Sequence, residues 1–474
     1  HQIYIPDRIS EGYGPNIPAL EKLKKDGAKV IITVDCGTTA YEPLAFAKEQ
    51  DLDVIVVDHH VAEAGLPEAV AVINPNRLDE ISEHGQLAAV GVSFLLAVAL
   101  NRGLREVKFF EGNASIKEPN LMNWLDIVAL GTVADMVQLT GVNRALVVQG
   151  LKVMAKRQNA GLSALADVSR MDEAPSTYHL GFLMGPRVNA GGRVGESYLG
   201  AQLLATDSTE KAFNIAQKLD AYNLERREIE DVVLQEALAL AETKAEEAGS
   251  VVFIAGQGWH PGVIGIVASR LKERYGLPSC VVTVQDGKAT GSGRSITGVD
   301  LGACVIAARQ AGILTNGGGH AMAAGFSLEE GQLGAFESFL AERIGKQIEE
   351  EGIVPTLNVD GSVTLEGATM DLVEVLQKLA PFGNGNAEPR LAFNSIRIAK
   401  VDVVGVNHVR CFLSGIDSKK QLAAIAFRCL DTELGQALLN HNGMPLHIVG
   451  RLRENIWQGR SSVQLLIDDA APVG

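Results

Sequence analysis

The sequence has 474 residues, 46% of them hydrophobic and 21% charged, with 42 Lys and Arg against 57 Asp and Glu. Those proportions exclude a disordered or fibrous chain and leave room for two to four domains. No run of about 18 apolar residues occurs, which excludes a membrane-spanning helix, and a net charge of −15 excludes nucleic-acid binding through a general basic excess.

The chain opens at His1, which is not a natural start residue, so the true N-terminus lies outside the sequence. Gln2–Ile5 reads as a strand, and P-D-R-I-S-E-G-Y-G-P-N after it reads as a Gly/Pro-rich loop carrying Arg8 and Glu11. A helix over 18–26 leads into a buried strand, K-V-I-I-T-V-D-C-G at 29–37, that ends on Asp35. A second helix, 41–49, returns to V-I-V-V at 54–57, which ends on Asp58, His59 and His60. Strand–helix–strand alternation of this kind predicts a parallel sheet with crossover helices. The two polar strand ends then share one sheet edge, where open α/β sheets place their ligands. The alternative for 58–60 alone is a capped, solvated turn.

V-I-N-P-N at 72–76 predicts a further short strand and turn, and 87–100 an apolar helix. A helix over 121–130 runs into G-T-V-A-D-M-V at 131–137, where Asp135 stands alone among apolar neighbours. A lone buried carboxylate is costly unless paired or bound to a metal, so Asp135 is a fourth candidate ligand; the other reading is a helix cap. G-F-L-M-G-P-R-V-N-A-G-G-R-V-G at 181–195 sets Arg187, Asn189 and Arg193 among small residues. Such residues let a backbone approach a ligand, and guanidinium forks match phosphate; a surface turn is the alternative. From 208 to 249 the pattern is continuously helical, about 60 Å of rod, and is expected to connect two domains.

Past the rod, a strand at 251–255, a Gly-rich turn into a helix at 258–271 and a strand at 280–284 predict a second α/β domain. Its glycine-dense stretches at 291–296 and 317–325, carrying Ser292, Arg294, Ser295 and His320, are expected to be anion-binding loops. An acidic helix then runs to about 351. Beyond 355 the character changes to five short strands, at 391–404, 409–413, 421–427, 446–453 and 462–467, which predict a small oligonucleotide-binding (OB) type barrel. This tail carries 11 Lys and Arg against 12 Asp and Glu, so nearly all of the acidic excess lies ahead of it. Its relative basicity suits a single-strand groove; a structural β-domain is the alternative. The five cysteines (36, 280, 304, 411, 429) form no C-x-x-C pair, which argues against a disulfide framework or a Cys-type zinc site and points to a reducing cytoplasm.

Taken in order, V-D-C-G, V-D-H-H, G-T-V-A-D, G-P-R-V-N-A-G-G-R, G-S-G-R-S and G-G-H-A-M-A-A-G resemble the DHH phosphoesterase superfamily over essentially the whole chain. With the long helix and the terminal barrel, the resemblance is to its single-strand-specific, 5′-to-3′ DNA exonucleases of repair and recombination. The fold class implied is α/β: a parallel-sheet DHH domain (1–207, N-terminally incomplete), a connector helix (208–249), a smaller DHHA1-type α/β domain (250–352) and an OB-type β-barrel (353–474). The superfamily's first motif, Asp-x-Asp, belongs on a strand ahead of Ile3 and falls outside the sequence. Residues 1–474 alone are therefore expected to bind single-stranded DNA with almost no exonuclease activity.

The resemblance also assigns roles. Two Mn²⁺ or Mg²⁺ ions are expected in the complete protein, as carboxylate and imidazole ligands suit these ions. Asp35 bridges them, and His59 and Asp135 complete one. Asp58 orients a histidine, and His60 touches the scissile phosphate or a metal. Arg8, Ser292 and Arg294 hold the 5′-phosphate. Arg187, Arg193 and His320 hold the backbone beside the cut, and Asn189 and Ser295 join these substrate contacts. Single-stranded DNA is the expected partner, with a single-strand-binding protein and a helicase implied by family and no membrane. The competing functions are a DHH oligoribonuclease, a cyclic-dinucleotide phosphodiesterase and a non-catalytic DNA-binding scaffold.

Overall fold

The computed structural model describes residues 1–7, 11–111, 116–244, 249–354, 356–415, 420–457 and 459–473. Asn16 caps helix α1 (Ile17–Lys25), its side chain accepting from Ala19 N–H at 2.9 Å. The β-branched run that follows forms β1 (Val30–Val34), and α2 (Tyr41–Glu49) crosses back to β2 (Asp53–Val57) and then β3 (Ala71–Ile73). All three strands are parallel, in the order β1-β2-β3. One face is buried by Leu20, Leu44, Ala47, Leu52, Val54, Val56 and Val72. Val34 pairs with Val57, so the chain leaves both strands side by side, at Asp35 and at Asp58. The expected strand at Gln2–Ile5 is not formed. Among the described residues no strand pairs with it, and Ile3 is 53% exposed, so its apolar residues have no surface to bury.

The chain next turns helical: α3 (Ala89–Glu106), α4 (Leu125–Ala134), α5 (Gly141–Met154) and α6 (Ala160–Val168). The segment expected as a ligand-hugging turn is instead a π-helical stretch, His179–Met184, continuing into α7 (Gly185–Val194). Pro186 falls where the π-helical stretch passes into α7, just after Gly185 N–H donates to Leu180 O. After α8 (Leu199–Ala205) comes the rod α9, Thr209–Lys244, 36 residues and about 54 Å long. Lys211 N–H donates to the Ser208 hydroxyl oxygen, which caps the helix start. The rod is buried along its length rather than free-standing. Ala212, Ile215, Ala216 and Leu219 are buried in its first half, and Val233, Ala237 and Ala241 pack on the domain beyond it.

That domain comprises β4 (Val252–Gln257), α10 (Ile264–Tyr275), β5 (Ser279–Gln285), β6 (Lys288–Arg294), α11 (Leu301–Gln310), β7 (Asn316–His320), β8 (Ala323–Glu329) and α12 (Leu333–Glu351). The sheet order is β4-β5-β6-β8-β7, parallel only between β4 and β5. Both glycine-rich segments expected as loops are thus paired strands. Gly291 lies opposite Phe326, and a Cβ on it would meet that ring at 2.1 Å. Glycine here makes room for a core aromatic. Gly291→Ala is expected to cost about 1–3 kcal/mol by overpacking. An unchanged urea midpoint would show that the strand can shift to accept the methyl group.

The remaining elements form a second compact unit: β9 (Gly361–Ser362), α13 (Met370–Gln377), β10 (Leu391–Val404), β11 (His408–Ser414), β12 (Gln421–Ala426), α14 (Glu433–Leu439), β13 (Leu446–Trp457) and β14 (Arg460–Pro472). The five long strands close into the expected barrel. β10 makes this possible: two register shifts along its length let it pair β13 with its first half and β11 with its second. Phe393, Val409, Cys411, Leu413, Ala424, Ile448 and Leu465 fill the interior. Several basic residues of the barrel are taken up internally, Arg390 and Arg451 by Asp468, Arg453 by Glu388, and Lys400 and Arg410 by Asp402.

One segment of this unit comes from far up the chain. Met136–Arg144 packs with Thr356–Gly474. Leu139 N–H donates to Asn384 O at 2.7 Å, the Asn384 amide returns a bond to Met136 O at 2.8 Å, and the Arg144 guanidinium bonds to Leu379 O and Ala380 O. All five cysteines are free, and among the described residues no helix is long and apolar enough to cross a membrane.

Candidate active site

The site is built on the carboxyl edge of the β1–β3 sheet. Asp35 leaves β1 with φ of 61°, a left-handed conformation that Asp tolerates better than most residues. Its N–H donates to Val57 O at 2.9 Å, and the Tyr13 hydroxyl donates to its carbonyl oxygen. Asp58, 1% exposed, accepts from the N–H groups of Thr38 and His59 and, at 2.7 Å, from His60 Nδ1. Burial alone would raise its pKa; the bonds from His60 and Thr38 outweigh this and hold it well below the carboxylate range.

His59 stands between two acids. Its Nε2 is 3.3 Å from Asp35 Oδ1 and 3.3 Å from Asp135 Oδ2, while Nδ1 is 3.0 Å from Leu87 O. A carbonyl can only accept, so Nδ1 carries a hydrogen and Nε2 is the nitrogen turned to the carboxylates. Burial pulls the His59 pKa down, but Asp35 and Asp135 together bring it above the ordinary value. Asp135 sits at the C-terminal end of α4, where the helix dipole disfavours negative charge. Burial raises its pKa to about 6, His59 opposing and Asp35 reinforcing the rise.

His60 is raised by its bond to Asp58 and stacks on His320, with ring centroids 5.7 Å apart and planes 14° from parallel. His320 is lowered by burial and then by the neighbouring His60 and His59. Ligand atoms of Asp35, His59 and His60 lie within 4.8 Å of one another, and Asp135 joins them through His59. An imidazole nitrogen facing two carboxylates, with a second imidazole alongside, is a donor set that fits Mn²⁺ or Mg²⁺.

The anion-binding residues divide. Ser292 and Arg294 come together: Arg294 Nη1 donates to Ser292 Oγ at 3.0 Å and to Gly293 O at 2.8 Å. The first turn of α10 closes on them, so near that a Cβ at Gly265 would lie 2.9 Å from Ser292 Oγ and 3.0 Å from Arg294 Nη2. Burial lowers the Arg294 pKa, and among the described residues no carboxylate pairs with it. A half-buried guanidinium facing only neutral oxygens beside a helix N-terminus favours an anion. Ser295, by contrast, is 1% exposed and donates its hydroxyl to Val299 O, holding its own turn. Arg187 is anchored to Asp220 at 2.7 Å and to Leu183 O, and Arg193 donates to Gly262 O at 2.8 Å, which ties α7 to the loop before α10. Asn189 is exposed on α7, and Arg8 lies outside the described residues.

Sequence reasoning missed two asparagines. Asn74 donates to Thr38 Oγ1 and to His60 O, and Asn76 to His59 O at 2.6 Å and Gly85 O at 2.9 Å. Both follow β3, at the same edge as Asp35 and Asp58, so the strand-end rule that found the acids also points to them.

Comparison with known proteins places each part. Residues 1–132 match the model of the DHH family, N-terminal domain, residues 248–346 the DHHA1 domain, and residues 359–469 the RecJ OB domain. Sheet, acid–imidazole site and domain order together define a DHH-family protein with an appended DHHA1 domain and barrel. The single-stranded-DNA-specific exonuclease RecJ of Salmonella typhimurium is 35% identical over 99% of this chain and 82% of its own. That of Bacillus subtilis is 33% identical over 99% of this chain and 57% of its own. A crystal structure of RecJ from Thermus thermophilus in complex with Mn²⁺ superposes with a TM-score of 0.78 at 26% identity, covering 96% of this chain and 64% of that one. The chain belongs to the RecJ family.

Proposed function

We propose that the protein is a metal-dependent exonuclease that removes mononucleotides from the 5′ end of single-stranded DNA. The observation that carries this is His59, its Nε2 held 3.3 Å from both Asp35 and Asp135 at the carboxyl edge of a parallel sheet. The curated relatives, named single-stranded-DNA-specific exonucleases, support it, as does the Mn²⁺ complex of the T. thermophilus protein.

In this reading Asp35, His59 and Asp135 would hold one Mn²⁺ or Mg²⁺, with Asp35 also available to a second, and the bound metal would supply activation of water and charge neutralisation at the phosphate. The protein's own contribution is positional. Asp58 fixes His60 through Nδ1, leaving Nε2 to face the scissile phosphate. His320 stacks on that ring and limits its rotation. Arg294 and Ser292 hold the terminal 5′-phosphate, which sets the direction of digestion. Arg187, Arg193 and Asn189 line the path of the backbone, with Arg8 at its phosphate end. The barrel binds the strand beyond. A cytoplasmic setting, with a single-strand-binding protein and a helicase as partners in repair, belongs to the same proposal.

The test is Mn²⁺-dependent nucleotide release from a long single strand labelled at either end, with a duplex and a dinucleotide as competing substrates. The 5′ label should be released first and the duplex spared. Preference for the dinucleotide would favour the oligoribonuclease or cyclic-dinucleotide reading instead.

A further inference from the structure

The loop from Leu78 to His84 is exposed throughout, Ile81 to 96%, so packing does not hold it. Yet three residues later Leu87 O must be placed to receive the His59 Nδ1 hydrogen at 3.0 Å. Asn76 bridges this gap. Its amide has two hydrogens, and both are used: one on His59 O at 2.6 Å, the other on Gly85 O at 2.9 Å. Gly85 permits the approach, as a Cβ there would lie 2.6 Å from Asn76 Oδ1. Asn76 is itself fixed from below, its N–H donating to Asn74 Oδ1 at 2.8 Å. The result is a closed circuit from the His59 backbone through Asn76, Gly85 and Leu87 to the His59 ring.

We propose that Asn76 is the positioning residue for His59. By stapling the 85–87 loop to the His59 backbone it holds Leu87 O against Nδ1, and so fixes the ring with its Nδ1 hydrogen on that carbonyl and its Nε2 edge toward Asp35 and Asp135. Asn74 serves the other histidine, through Thr38 and His60 O, so the two asparagines divide the pair. The proposal rests on His59 being a metal ligand only for its effect on metal affinity; the ring orientation and the Nδ1 bond to Leu87 O are properties of the metal-free chain.

The test has two readouts on the full chain. Imidazole ¹⁵N–¹H correlation spectra of histidine-labelled, metal-free protein report which His59 nitrogen carries hydrogen, and calorimetric titration reports Mn²⁺ affinity. Asn76→Ala should abolish the defined Nδ1–H state of His59, leave that of His60 in place, and weaken Mn²⁺ binding about 10–100-fold, the usual effect of removing a group that orients a ligand. Gly85→Ala, at the end of the exposed loop, should displace the same amide and reproduce the spectral change if Asn76→Ala fails to fold. An unchanged His59 Nδ1–H signal in the folded variants would overturn the proposal. A changed Nδ1–H signal with Mn²⁺ binding that neither Asn76→Ala nor Asp135→Ala affects would uphold it while removing the metal reading on which the proposed function stands.

Discussion

In a chain extended to include the Asp-x-Asp motif, replacing Asp135 by asparagine is expected to reduce Mn²⁺-dependent nucleotide release by at least about a thousandfold, some 4 kcal/mol of transition-state stabilisation. The same change should leave the fold intact and, in the presence of chelator, make it more stable. The two effects run in opposite directions for one reason. The Asp135 carboxylate lies at a helix C-terminus, partly buried, close to Asp35, and its pKa is about 6. An acid whose pKa is raised on folding costs stability as pH climbs from its ordinary value of 3.8, and the full cost is reached above about pH 6. Among the described residues its ion-pair partner in the site is His59, at 3.3 Å. A group held at such a cost, and doing so little for the fold, is placed there for a cation. Nucleotide release and thermal unfolding on the same preparation test this. Retained activity would dismiss Asp135 as a ligand, and a large loss of stability would make it a structural acid.

Arg294→Ala should collapse the preference for a 5′-phosphate over a 5′-hydroxyl end. Arg294 is half-buried, and its bonds are to neutral oxygens, Ser292 Oγ and Gly293 O. A phosphate dianion is therefore the one expected partner that would compensate its charge, and charge-assisted bonds of this kind contribute about 1.5–3 kcal/mol. The preference ratio should fall roughly 10–100-fold, with Arg294→Lys in between, since an ammonium keeps the charge but not the fork. Comparing rates on the two kinds of 5′ end decides it. Equal loss on both would assign Arg294 to the fold of β6 alone.

The parallel sheet and its acids were legible because a polar residue ending an apolar run is conspicuous, as in V-I-I-T-V before Asp35 and V-I-V-V before Asp58. The expected burial holds for β2 but not for β1, whose Val30, Ile32 and Val34 are exposed on one face. The barrel strands were legible by alternation. The strands β6, β7 and β8 were not, since glycine signals a loop when its neighbours are unknown, and only the position of Phe326 explains Gly291. Ser295 was misjudged for a related reason. A small hydroxyl in a glycine-rich stretch looks available, while its acceptor, Val299 O, is a backbone atom with no signature. The segment 181–195 shows the same ambiguity in reverse, its glycines and proline being absorbed by helix. The pairing of Met136–Arg144 with the C-terminal unit joins residues too distant for any periodic pattern to connect.

That last pairing has a consequence for how the protein is made. On the ribosome, Met136–Arg144 emerges well before its companions, because the whole of Ala145–Pro355 is synthesised in between. At bacterial elongation speeds the wait is roughly 10–40 s, long compared with helix or hairpin formation. Through that interval Leu139, 2% exposed in the finished protein, lacks its contacts with Gly383 and Asn384. The nascent chain thus displays an apolar strap that a chaperone can hold or a protease can cut. Only completion of the C-terminal barrel withdraws it, so intact translation to the last strand is recorded at a position less than a third of the way along the chain.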